Sequence, residues 1–202
     1  MKLAFFGAAG DFDYQNIGGT NSCIRRLSSY IAKREGWHVD YVIYGRPDSE
    51  LLHPDGVRTR CFLTIRDAFE ALLGYDHIVI VNYPATDTSL VRQFCKRQAS
   101  RSKIHMMYWE WPESYLNRTL RLLQKDVVPY NGASIAVSPR LYSVLAGKRK
   151  NVSLMLPPVP DSFFCSLQDK PVSDQIHVTY IGRLDAGKGI LETIELFNRL
   201  SE

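Results

Sequence analysis

No two of the four cysteines (Cys23, Cys61, Cys95 and Cys165) are spaced C-x-x-C. That excludes a disulfide framework and a cysteine zinc site, and makes a reducing cytosol the expected compartment. No apolar run reaches the roughly 20 residues that a membrane span needs. Internal repeats and low-complexity tracts are missing as well. The composition, 45% hydrophobic and 23% charged, excludes a disordered chain. Neither sign of charge dominates: the net charge is +4 and the isoelectric point about 8.9. This balance fits acidic ligands or an anionic membrane surface, and no nucleic-acid partner is expected. The opening MKLAFFGAAG has a single lysine and a short apolar stretch. It reads as a β-strand entering a glycine turn rather than as a signal peptide. In a cytosolic chain the sequons at Asn117 and Asn151 carry no meaning.

What is present is an alternation. Apolar runs at 2–6, 38–44, 57–63, 77–82, 104–109, 133–137 and 152–156 predict strands, and they are unbroken rather than alternating. Helical periodicity falls at 20–35, 65–73, 87–98 and 116–125, and another helix starts at Ser138-Pro139. In the first helix Ile24, Leu27 and Ile31 share a face, Thr20 or Asn21 can cap the start, and Gly36 sits at the C′ position. Such a chain predicts a doubly wound parallel α/β sheet, Rossmann-like, covered on both faces. Residues 156–175 hold four of the ten prolines and read as a linker. The expected organisation is a domain at 1–160, a linker at 161–175, and at 176–202 the first strand and helix of an incomplete second domain.

The segment 176–191, IHVTYIGRLDAGKGIL, organises the functional reading. A strand turns at Gly182, a loop carries Arg183 and Lys188, and a helix opens after Gly189. Outward N–H groups, the helix dipole and two cations make a phosphate site. Gly182 to Lys188 nearly matches a P-loop, but Gly189 stands where Ser or Thr should bind magnesium. The first loop, GAAGDFDYQNIGGTNS, also precedes a helix, and Gly18-Gly19 either admits a phosphate or sugar or simply makes a long turn. It lacks the G-x-G-x-x-G dinucleotide spacing. Asp11 and Asp13 have D-x-D spacing but read as a solvated turn, and no metal is expected.

Trp109-Glu110-Trp111-Pro112 follows a central strand, where such sheets present their chemistry. A carboxylate between two aromatic rings suits a sugar, and packing with a loop charge is the plain alternative. Asn82, at the end of the preceding strand, is similarly placed. Between Asp87 and Glu110 lie five basic residues (Arg92, Lys96, Arg97, Arg101 and Lys103) and no acid. They read as a solvated helix face or as a patch for anionic lipid headgroups. The histidines are dispersed, three of the five near strand starts, and are assigned no role.

YIGRLDAGKGILETIELFNRL resembles the start of the nucleotide-binding domain of retaining GT-B glycosyltransferases of family four (the group 1 glycosyl transferases). IGGTNSCIRRLSSYIAKREGWHV is similar to the family's Gly-Gly loop, helix and following strand, and VSPRLYSVL to the end of its first domain. The resemblance spans essentially the whole chain. It implies two Rossmann-like domains with the active site between them, and a hexosyltransferase-type enzyme. Such an enzyme moves a sugar from a nucleotide-diphosphate donor to a carbohydrate or lipid-linked acceptor, with retention, without a metal and without a cofactor.

On that likeness Arg183 and Lys188 neutralise the diphosphate, with Gly182 beside them, and Gly18 and Gly19 close over it. Asn82, Trp109, Glu110 and Trp111 face the acceptor, with Glu110 also a catalytic candidate. The family's histidines at the fourth and fifth strand ends are replaced here by Asn82 and Glu110, and its Glu-x₇-Glu segment is not present. The fragment is therefore expected to be inactive while its parent is a cytoplasmic enzyme, peripheral at the inner membrane face if the basic segment 92–103 touches lipid. Residues 176–202 would pack on the first domain, swap into a homodimer, or fray. Rival readings are a non-catalytic Rossmann-like module for a phosphorylated ligand or a protein partner, and a hydrolase or epimerase of the same architecture.

Overall fold

The computed structural model describes residues 1–9, 19–81, 88–109, 130–147, 149–158 and 190–200. The chain divides into two compact units, Met1–Val159 and Pro160–Glu202. The linker at 161–175 and the strand expected at 176–181 lie outside the described residues, as does the helix expected at 116–125.

In the first unit the elements run β1 (Lys2–Ala8), α1 (Gly19–Glu35), β2 (His38–Tyr44), β3 (Ser49–Leu52), β4 (Arg58–Phe62) and α2 (Ile65–Ala71). A 3₁₀ turn (Leu72–Gly74) follows, then β5 (His77–Val81), α3 (Thr88–Gln98), β6 (Lys103–Tyr108), β7 (Ser134–Ala136), α4 (Pro139–Ala146) and β8 (Val152–Leu154). They build one eight-stranded sheet ordered β3-β4-β2-β1-β5-β6-β7-β8. Seven of its strands are parallel, so the molecule is an α/β protein with a Rossmann-like order, reversing direction at the central strand β1.

The all-parallel expectation needs one correction. β3 pairs antiparallel with β4, Glu50 opposite Arg60, and replaces a crossover helix with a hairpin. SELL has neither alternation nor β-branched residues, and pairing with β4 rather than its own propensity makes it a strand. The first helix also starts earlier than expected. Gly19 is already helical, so Thr20 and Asn21 lie in the first turn rather than at the cap.

Both faces of the sheet are covered, each by different residues of the same strands. On one face Phe5 meets Tyr41 edge-on at 5.9 Å, and the Tyr41 hydroxyl bonds Ser28 Oγ of α1 at 2.5 Å. On the other, Phe6 packs against Phe69 of α2 at 5.4 Å, and Phe69 stacks on Phe94 of α3 at 4.4 Å. Period-2 alternation along β1 thus sends consecutive phenylalanines to opposite helical layers. Each fully buried side chain of this size stabilises by roughly 1.5–3 kcal/mol, and both phenylalanines of β1 are fully buried. Ile24 is buried, while Leu27 and Ile31 pack partly buried on the same core, which is the face their spacing predicts.

In the second unit, α5 (Ile190–Leu200) carries an exposed Arg199–Glu195 pair at 2.5 Å. No helix among the described residues is long and apolar enough to cross a membrane.

Candidate functional site at the carboxyl edge of the sheet

Parallel pairing sends the carboxyl ends of seven strands to one edge. Backbone bonds carry the ladder past the strands there: Ala9 N–H to Tyr44 O at 2.9 Å, Gly45 N–H to Phe62 O at 2.9 Å, and Met155 N–H to Ala136 O at 2.8 Å. Gly45 has φ 86°, a left-handed conformation that a side chain would strain, and it lets the chain leave β2 beside Ala9. Because β2 and β5 lie on opposite sides of β1, the strand order reverses there, and in open α/β sheets the ligand crevice lies beyond the carboxyl ends of the strands at such a reversal.

The helices that follow these strands present their amino ends to the same edge. α2 satisfies its own end: Thr64 Oγ1 accepts from Asp67 N at 3.2 Å and donates to Asp67 Oδ2 at 2.6 Å. α4 is capped by Ser138, whose Oγ accepts from Leu141 N at 3.2 Å. No acidic residue in the first turns of α1 and α3 offsets their dipoles.

Of the residues expected to act, Gly19 and Trp109 are described. Gly19 is the first residue of α1, in the helix that follows β1. Trp109 follows the last residue of β6, packs against the core, and buries its indole Nε1 without a hydrogen-bond partner among the described residues. A buried orphan donor costs about 1–3 kcal/mol, so a group held at this edge needs a reason. Asn82, Glu110, Trp111, Gly18, Gly182, Arg183 and Lys188 lie outside the described residues. The same holds for Asp11, Asp13 and Cys165.

Beside Trp109, Tyr108 is buried with its hydroxyl 3.4 Å from that of Tyr130. Tyr130 in turn bonds Ser134 Oγ and lies under the Arg149 guanidinium, 5.4 Å from its ring centre. Burial first, and Tyr130 second, push the Tyr108 phenol well above its ordinary range, so it stays neutral. Burial likewise raises the Cys23 thiol to about 11 and the Cys95 thiol to about 12, which leaves both as inert packing groups rather than nucleophiles. Among the described residues no three His, Cys, Asp or Glu side chains converge as a metal site would require.

The basic residues of 92–103 sit where a solvated face predicts. Val91, Phe94, Cys95 and Gln98 of α3 are buried, while Arg92, Lys96 and Arg97 point outward. Sequence reasoning overlooked a second basic surface, on α1, although its spacing is legible: Arg25, Arg26, Lys33 and Arg34 stand opposite the apolar stripe of that helix.

No protein-family model matches the chain, and no curated protein matches it. Among solved structures, the crystal structure of an AraC family transcriptional regulator from Pseudomonas putida aligns at a TM-score of 0.35 and 10% identity. That alignment covers 76% of this chain and 75% of that one, and a likeness at that level carries no argument.

Proposed function

We propose that this chain is the acceptor-side domain, with the opening of the nucleotide-sugar domain, of a metal-independent retaining glycosyltransferase of the GT-B type. The observation that supports it most is the reversal of strand order at β1. In open α/β sheets ligands bind at such reversals, and here the helix that follows β1 starts at Gly19 with no acid in its first turn. The orphan indole N–H of Trp109 stands at the same edge, suited to a sugar hydroxyl.

In this reading Arg183 and Lys188 neutralise the charge that grows on the departing diphosphate, while the N–H groups at Gly18, Gly19 and Gly182 complete its cradle. Fixed donors aimed where charge develops lower the barrier without a metal, and losing one such donor costs about 10²–10³ in rate. Trp109 and Trp111 offer ring faces to the acceptor, and Asn82 and Glu110 offer polar contacts, with Glu110 the candidate for proton transfer.

The test takes the natural reading frame past Glu202 and assays the longer polypeptide with nucleotide-diphosphate sugars in the presence of a chelator. Transfer to an acceptor with retained configuration, cut about 100-fold or more by Arg183→Ala or Lys188→Ala, supports the proposal. Saturable binding without transfer or sugar release makes the chain a non-catalytic binding module. Release of free sugar alone makes it a hydrolase.

A further inference from the structure

α1 turns two adjacent rows of side chains outward, Arg25, Ser29 and Lys33 in one, Arg26, Tyr30 and Arg34 in the other. Facing them is the turn between β3 and β4. An open groove of about 740 Å³ runs between the two, lined by four cations and one carboxylate, Asp55. It descends to the amino edge of the sheet, where α1 ends and β4 begins, away from the crevice described above.

Three of these cations have no carboxylate partner among the described residues. Arg26 Nη1 donates to the carbonyl of Pro158 at 3.1 Å, and Arg34 lies over the Tyr30 ring at 5.7 Å. Lys33 forms no ion pair with the described residues. Asp55 has one oxygen engaged by its own turn, Oδ1 accepting from Val57 N at 3.3 Å. The dipole of α1 accounts for Lys33 and Arg34, which occupy its last turn. It does not account for Arg26, about two turns earlier, beyond the reach of that field. Like charges gathered on one face repel, so the arrangement works against the folded helix unless an anion relieves it.

We propose that this groove binds a phosphomonoester or diphosphate group. The guanidinium of Arg26 supplies paired N–H donors, Lys33 and Arg34 add charge, and Ser29 adds a hydroxyl. The Tyr30 ring, 53% exposed and already stacked with Arg34, offers a face to whatever the phosphate is attached to. The phosphate can belong to a free metabolite or to a lipid headgroup, and the chemistry of capture is the same.

Pyrophosphate, titrated calorimetrically, is the soluble probe, and vesicles of neutral lipid with phosphatidic acid are the membrane probe. The expected result is saturable, salt-sensitive binding that weakens at least about tenfold in the Lys33→Gln/Arg34→Gln variant. The charge-matched Arg92→Gln/Lys96→Gln variant on α3 should bind as the parent does. Pyrophosphate binding without vesicle binding assigns a soluble ligand, and vesicle binding that pyrophosphate displaces assigns a headgroup. Absence of binding to both probes, equal weakening in both variants, or equal attachment to phosphatidylserine vesicles of the same charge overturns the proposal. Should the α1 variant fail to fold, protection of Lys33 from amine acetylation by pyrophosphate in the parent decides the matter.

Discussion

Arg58 reaches the buried carboxylate of Asp40 twice, with Nε 3.2 Å from both oxygens and Nη2 2.6 Å from Oδ2. The pair ties the starts of β2 and β4 together at the register position where they face each other. Tyr75 donates its hydroxyl to the same carboxylate, and Glu50 takes Arg58 Nη1 at 3.0 Å. Asp40 is wholly buried, so removing its cation leaves an uncompensated charge inside. Arg58→Met is expected to destabilise by about 3–5 kcal/mol. Asp40→Asn/Arg58→Met should cost less than the two single changes added together. Urea unfolding of the three variants, with unchanged denaturant slopes, checks both statements.

His105 gives the fold an acid limit. Its ring Nδ1 accepts from Ala133 N at 3.0 Å and its Nε2 lies 3.1 Å from His77 Nδ1. Burial, then His77 and Lys103, push its pKa down from 6.5 to about 4. The folded value lies below the unfolded one, so the contribution is complete above about 6.5 and is lost as pH falls towards 4. The expected loss is about 1–2 kcal/mol once the partial exposure of the ring is discounted. His105→Asn keeps an acceptor for Ala133 and removes the titration, so its urea midpoint should fall less between pH 7 and 4.5.

Two glycines respond oppositely to a methyl group. A Cβ on Gly132 would lie 2.4 Å from the Ile104 carbonyl oxygen and 2.7 Å from His105 Nδ1, so the backbone entering β7 must shift. Gly132→Ala is expected to cost about 2–4 kcal/mol. At Gly74 nothing lies within 4 Å, and Gly74→Ala should be neutral or stabilise by about 0.4–1 kcal/mol. Thermal melts of the two variants provide the comparison.

Trp109→Phe separates folding from binding. It removes a buried N–H that has no partner among the described residues, so stability should hold or rise by up to about 1 kcal/mol. Under the glycosyltransferase function proposed above, the same change is expected to raise KM for the acceptor several-fold while leaving KM for the donor unchanged. A stability loss above about 2 kcal/mol would mean that the indole is a packing element.

The parallel core was legible because burial on both faces demands unbroken apolar strands, and 77–82 and 104–109 show them plainly. Caps were legible too: Ser138 before Pro139 caps α4, and Gly36 takes φ 63° after α1. β3 was not, because an edge strand is decided by its partner rather than by its own residues. Asp40 and Arg58 are 18 positions apart, and nothing local says that a carboxylate in an apolar run will meet a guanidinium across a sheet. Of the residues singled out from the sequence, Gly19 starts the helix after β1 and Trp109 follows the end of β6. The cationic groove was not legible because its second wall, Pro54 and Asp55 of the β3–β4 turn, meets α1 only through folding.

The central place of β1 has a consequence for synthesis on the ribosome. Lys2 bonds Asp76 Oδ2 from 74 residues away, and β5 is the second neighbour that β1 requires. β1 is thus completed only after β2, β3 and β4 have followed it. Until then one edge of β1 stays unpaired, and Phe6 gains its cover from Phe69 only once α2 has been made. Such a nascent chain offers an open strand edge and an uncovered apolar face, the features that trigger factors and other holdase chaperones engage.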